Sequence, residues 1–162
     1  MDESCKQNWY AIKVFWGRTS RIKDILEELG IHYYAQKVLP SYMFIRTDRR
    51  TALRFREAQF GYIYLYSDRT THEPVVVPEA QVEVFRIMTS AGADAEILPN
   101  PPDSYAVGDL VRVNDGPFKG AEGYIRRIRK DRRLVIVISG VAAIATVYIP
   151  PELLEKVNLP IL

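Results

Sequence analysis

Apolar and polar positions follow two different periods along this chain, and the place where the mixture changes divides it. Residues 9–14 have the apolar density of a buried strand. Ile22, Ile25, Leu26 and Leu29 then fall at i, i+3, i+4 and i+7, one face of a helix; Thr19 or Ser20 is placed to cap its start, and Gly30 to end it in a left-handed turn. Strand patterns follow over 33–38 and 42–47, separated by Leu39, Pro40 and Ser41. Asp48 opens a short helix to about residue 57, and Gly61 closes that unit. Over 62–67, Tyr62, Tyr64 and Tyr66 alternate with Ile63 and Leu65, a strand with two unlike faces. Pro78 and Glu79 start a helix carrying Val82, Phe85 and Met88 on one side. From about 89 to 103 every period is interrupted by Gly92, Pro99, Pro101 and Pro102, with Asp94 and Glu96 among them. Beyond that point only strand patterns remain, over 109–113, 122–128, 134–138 and 142–149, split by turn-forming Asn114-Asp115-Gly116-Pro117, Lys130-Asp131-Arg132 and Ser139-Gly140.

The pattern therefore predicts an α+β domain over 8–88, a linker over 89–103 and an all-β domain over 104–162. The order β-α-β-β-α-β-α resembles a ferredoxin-like fold, an antiparallel sheet with flanking helices. Four or five short strands in the second part suggest a small barrel, whose core would draw on Val135, Val137, Ile144 and Val147.

Composition narrows the function classes. A chain of 162 residues, 48% hydrophobic and 26% charged, has the makeup of a soluble globular protein. Its net charge of +2 is too small for a polycation that coats nucleic acid indiscriminately. The polar opening at 1–7 is unlike a secretory leader, and no apolar run approaches the ~18 residues of a membrane span. A cytoplasmic monomer without membrane contact is expected. The lone Cys5 excludes an internal disulfide, and His32 and His72 are too few for a Cys/His metal cluster, so neither metal nor cofactor is expected. There is no phosphate-binding glycine loop, nucleophile elbow or HExxH, and the chain reads as a non-enzyme.

The most specific stretch is 108–123, in which Gly108, Gly116, Gly120 and Gly123 punctuate Asp109-Leu110-Val111-Arg112-Val113-Asn114-Asp115 and Pro117-Phe118-Lys119. Gly116 and Gly120 suit a tight loop, Pro117 fixes one φ, and Gly123 permits close backbone approach as a strand begins. The stretch resembles the KOW motif of NusG-type elongation factors and of several ribosomal proteins. Phe118, a large apolar group at a loop tip, asks for something to cover it. The run Arg126, Arg127, Arg129, Lys130, Arg132, Arg133 spans two strands and their turn; it reads either as a solvated hairpin or as a phosphate-contacting patch whose binding would fall with salt.

Three landmarks strengthen the same resemblance: Trp9-Tyr10-Ala11-Ile12 before the first helix, Leu39-Pro40-Ser41-Tyr42-Met43-Phe44-Ile45, and Val77-Pro78 before the last helix. With the KOW stretch they are similar to the NusG N-terminal (NGN) domain and SH3-like KOW barrel, covering nearly everything after residue 8. The resemblance implies an apolar hollow for the clamp helices of RNA polymerase, formed by Leu39, Tyr42 and Phe44 with Tyr62 beside them. It implies nucleic-acid contact, with non-template DNA or nascent RNA, at Trp16, Arg18, Arg21 and Lys23. It also implies that Val113, Asn114 and Phe118 receive a ribosomal protein or a termination factor. The segment before Leu39 is shorter than in ordinary NusG, and Ser41 stands where glycine is usual. That compact form, with Asp68-Arg69 and 73–78, is similar to the UpxY antiterminators of capsular polysaccharide operons. The expected function is a specialised elongation and antitermination factor; the rival reading is a ribosome-associated KOW-type RNA-binding protein.

Overall fold

The computed structural model describes residues 6–36, 39–90, 95–99, 101–138, 140–145 and 149–157. The chain is α+β and forms two compact units, 1–82 and 83–162.

In the first unit β1 (Asn8–Val14), α1 (Thr19–Glu28), β2 (His32–Ala35), β3 (Tyr42–Thr47), α2 (Arg49–Ala58), β4 (Ile63–Leu65) and β5 (Val76–Val77) follow in order, and α3 (Glu79–Ser90) starts there. The strands pair antiparallel in the order β2-β3-β1-β4, with β5 beside β1. This is the interleaving of two split β-α-β units that the element order suggests. Tyr10, Ile12 and Val14 of β1, Met43 and Ile45 of β3, and Ile63 and Leu65 of β4 point to one side. There they pack with Ile22 and Leu26 of α1 and Ala52 and Phe55 of α2. Each such large side chain removed from water stabilises the fold by roughly 1.5–3 kcal/mol.

The helix ends are local chemistry. Gly30 (φ 69°) donates to the Glu27 carbonyl and Ile31 to that of Leu26, the paired bonds of a Schellman cap. Asp48 accepts from the Thr51 amide and hydroxyl, both at 2.8 Å, and so caps α2. The start of α1 differs from expectation. Arg18 is its N-cap residue without a side-chain cap, and the Thr19 hydroxyl donates instead to the Pro40 carbonyl at 3.2 Å.

The second unit holds β6 (Glu96–Ile97), a 3-10 turn (Pro102–Tyr105), β7 (Leu110–Val113), β8 (Glu122–Ile128), β9 (Asp131–Ile138), β10 (Ala142–Ala145), a second 3-10 turn (Pro151–Leu153) and β11 (Leu154–Lys156). All neighbours in the order β11-β7-β8-β9-β10-β6 are antiparallel. Val135, Ala143 and Ala145 form a core with Leu98 and Tyr105. Within 89–103 the described residues include the end of α3, a strand paired with β10 and the start of a 3-10 turn, with Leu98 buried. The other expected linker residues, 91–94 and 100, lie outside the described residues, as do Cys5, Val38 and Val147. Strand β2 ends at Ala35, and β4 is confined to Ile63–Leu65, both shorter than the pattern suggests.

Candidate functional site

Strand parity builds the site. Register sets Tyr42 opposite Lys13, and Lys13 opposite Tyr64, in one row across β3, β1 and β4. The row before it sets Tyr34 opposite Phe44 and Phe44 opposite Ala11, whose carbonyl accepts from the Tyr66 amide at 3.0 Å. Because Met43, Ile45, Ile12 and Leu65 fill the helix-covered side, these residues alternate onto the other side. That second face carries tyrosines in mutual contact. Tyr42 stacks on Tyr66 with centroids 6.3 Å apart and 23° between planes, and Tyr64 meets Tyr66 edge-on at 5.0 Å. The Lys13 ammonium lies 5.6 Å from the Tyr42 ring centre and 5.8 Å from that of Phe15. Burial, followed by a hydrogen bond with Tyr42, pushes the Tyr66 phenol well above its ordinary value.

Leu39 is half-buried. The Gln36 carboxamide donates to its carbonyl at 2.7 Å and accepts from its amide at 2.6 Å. The following turn is tied by the Tyr42 amide to the Leu39 carbonyl at 3.0 Å and by the Val14 amide to the Ser41 carbonyl at 2.8 Å.

Of the four residues assigned to a hollow, Tyr42 and Leu39 are half-buried and Tyr62 is 38% exposed, so all three reach the surface. Phe44 does not. At 2% exposure it is buried on the same side of β3 as Tyr42, and its assignment as a contact is corrected. An open concavity of about 520 Å³ adjoins Tyr64 and is lined also by Arg56, Phe60, Leu65 and Arg69.

Of the residues assigned to nucleic acid, Arg18 contacts a tyrosine of the expected hollow. The Arg18 guanidinium lies 3.8 Å over the Tyr62 ring. Trp16 is 83% exposed and holds a left-handed backbone, φ 62°. Arg21 is exposed, whereas Lys23 is half-buried two positions on, about 200° around the helix, so these two cations do not share a face. Lys13, Phe15, Gln36 and Tyr66 were not among the sequence candidates. Tyr66 was within reach, having the parity of Tyr62 and Tyr64; nothing local marks Gln36, whose role arises from the fold.

In the second unit Asn114 is exposed, its amide donating to the Leu153 carbonyl at 2.8 Å, and Phe118 is half-buried. Val113 is 1% exposed and exchanges backbone bonds with Ala121 and Gly120; it belongs to the core, a correction to its assignment as a contact. Gly108, Gly116 and Gly120 have φ of 89°, 88° and 94°, and an added Cβ on Gly123 would strike the Val135 carbonyl, which accounts for all four glycines.

Among the described residues no group of three or more His, Cys, Asp or Glu could hold a metal ion, and no helix is long and apolar enough to cross a membrane.

No family model matches the chain. It is similar to proteins named transcription termination/antitermination protein NusG. The relative from Vibrio vulnificus is 23% identical over 86% of this chain and 90% of its own length. That from Neisseria meningitidis is 23% identical over 78% and 84%, and that from Escherichia coli K12 is 23% identical over 86% and 90%. A solved structure of an MjSpt4:Spt5 complex covers 93% of this chain and 97% of its own at 19% identity, with a TM-score of 0.29.

Proposed function

We propose that this chain is a non-catalytic, NusG-like factor of transcription elongation and antitermination, and that the tyrosine face of its first unit holds the clamp helices of RNA polymerase. The similarity to NusG proteins over 78–86% of the chain supports the class. The observation that carries the site is the register that aligns Tyr42, Lys13 and Tyr64 in one row, with Tyr66 in contact with both tyrosines. Tyrosine combines an apolar ring with a wet hydroxyl, which suits a face that is solvated when free and covered when bound. An amphipathic helical hairpin laid across such rings would bury apolar side chains against them and leave Lys13 for an acidic side chain.

Trp16 and Arg18 would contact non-template DNA or nascent RNA, and Asn114 and Phe118 a ribosomal protein or termination factor. The compact form similar to UpxY points to a polysaccharide operon as the target. Co-purification with core RNA polymerase tests the central reading. Tyr42→Ala should weaken that association about tenfold or more, the loss typical of an interface anchor, with an unchanged circular dichroism spectrum. Full retention by the folded variant overturns the site, and sedimentation with ribosomal subunits but not polymerase overturns the class.

A further inference from the structure

Strands β8 and β9 close on Arg129 and Lys130, with Arg129 in a left-handed conformation at φ 61°. Register sets Arg126 opposite Arg133 and Arg127 opposite Arg132, one pair of like charges on each face. Such pairs repel, because directly opposite Cβ atoms are only about 4.5–5.5 Å apart. The two faces handle the repulsion differently. On the first, Glu96 takes Arg129 at 2.8 Å and Arg133 at 3.2 Å, and the acids of the two strands, Glu122 and Asp131, have the parity of this face as well. On the second, Arg127 and Arg132 are both exposed and neither forms an ion pair among the described residues. Lys130, also exposed, extends the row at the turn.

We infer that Arg127 and Arg132, with Lys130, form a binding site for the sugar-phosphate backbone of a nucleic acid. Guanidinium groups match phosphate oxygens in a two-pronged geometry, and adjacent phosphates offset the repulsion that the bare hairpin leaves standing. A protein partner is disfavoured by chemistry: interface centres are apolar, and none of the large exposed apolar side chains lies on this hairpin. The site belongs to the second unit, whereas the tyrosine face and Trp16 belong to the first, and it does not depend on the proposed polymerase contact.

Fluorescence anisotropy of the full chain with short labelled single-stranded RNA and DNA of one sequence tests it. The wild-type chain should bind both, with affinity falling steeply with salt. Arg127→Gln/Arg132→Gln should weaken binding about tenfold and lower the log–log salt slope by about 1.4, at about 0.7 for each phosphate no longer neutralised. The Glu96-tied pair, changed as Arg129→Gln/Arg133→Gln, should weaken it less than about threefold. Arg132→Glu alone creates an opposite-charge pair with Arg127, so it should reduce affinity while its melting temperature holds or rises, separating impaired binding from impaired folding. Tyr42→Ala should leave this binding intact. Absence of binding by the wild-type chain at low salt, or equal effects from the two double variants, overturns the inference.

Discussion

Trp16 is costly twice over: its ring is 83% exposed, and its backbone sits at φ 62°, where a bulky L-residue is strained by about 1–3 kcal/mol. The backbone builds, with Gly17 at φ 65°, the turn in which the Arg18 amide donates to the Phe15 carbonyl at 3.3 Å, but that turn does not need an indole, and the exposed ring supports a role in binding. Trp16→Gly should relieve the strain and keep or raise the melting temperature by a few degrees, while weakening the association with polymerase or nucleic acid that the neighbouring Arg18 and Tyr62 share. A lowered melting temperature with unchanged binding would show the indole to be structural. At this scale the resemblance named Trp16, Tyr42 and Tyr62, which the fold leaves at the surface, and also Phe44 and Val113, which it buries. The reason is physical. Alternation tells which side of a strand a residue takes, but whether that side is covered depends on parts of the chain far away in sequence.

Elements were more legible, because a helix or strand of several residues repeats its period often enough to be recognised. The face of α1 at Ile22 and Leu26, the Asp48 start of α2, and the inward Ile63 and Leu65 of β4 are as the pattern indicates. Strands β5, β6 and β11 were not seen: two or three residues make no period, and they are strands because a partner strand offers them a ladder. The proline-rich stretch misled for the same reason, since Glu96 and Ile97 gain their conformation from β10. Gly123 gives this scale its test. A methyl group there would collide with the Val135 carbonyl, which the β8–β9 ladder holds in place, and would lie 3.2 Å from the Leu134 Cδ1. Gly123→Ala should therefore destabilise the second unit by about 2 kcal/mol, measured by denaturant unfolding; a loss under about half that would mean the strands can part to admit it.

Taken whole, the molecule is titrated from the acid side by its caps and turns. Hydrogen bonds from the Thr51 amide hold the Asp48 carboxyl below its ordinary value, the Thr71 and Thr70 amides do so for Asp68, and Arg49 does so for Glu73. With depressed native values, the unfolded chain takes up protons first; this contribution is present at neutral pH and is lost as pH falls below about 4. Asp48→Asn keeps a capping side chain without a titrating one. Its melting temperature should match the wild type near pH 7 and fall less on acidification; an identical acid limb would remove Asp48 from the account. A different constraint comes from the odd–even pattern of β3. Its neighbours Met43 and Phe44 look in opposite directions, so a one-residue slip of the strand against β1 would turn Tyr42 and Phe44 to the helix-covered side and Met43 and Ile45 away from it together. The turn before Tyr42, tied by the Tyr42 amide to Leu39 and by the Val14 amide to Ser41, therefore guards the composition of both sheet faces at once.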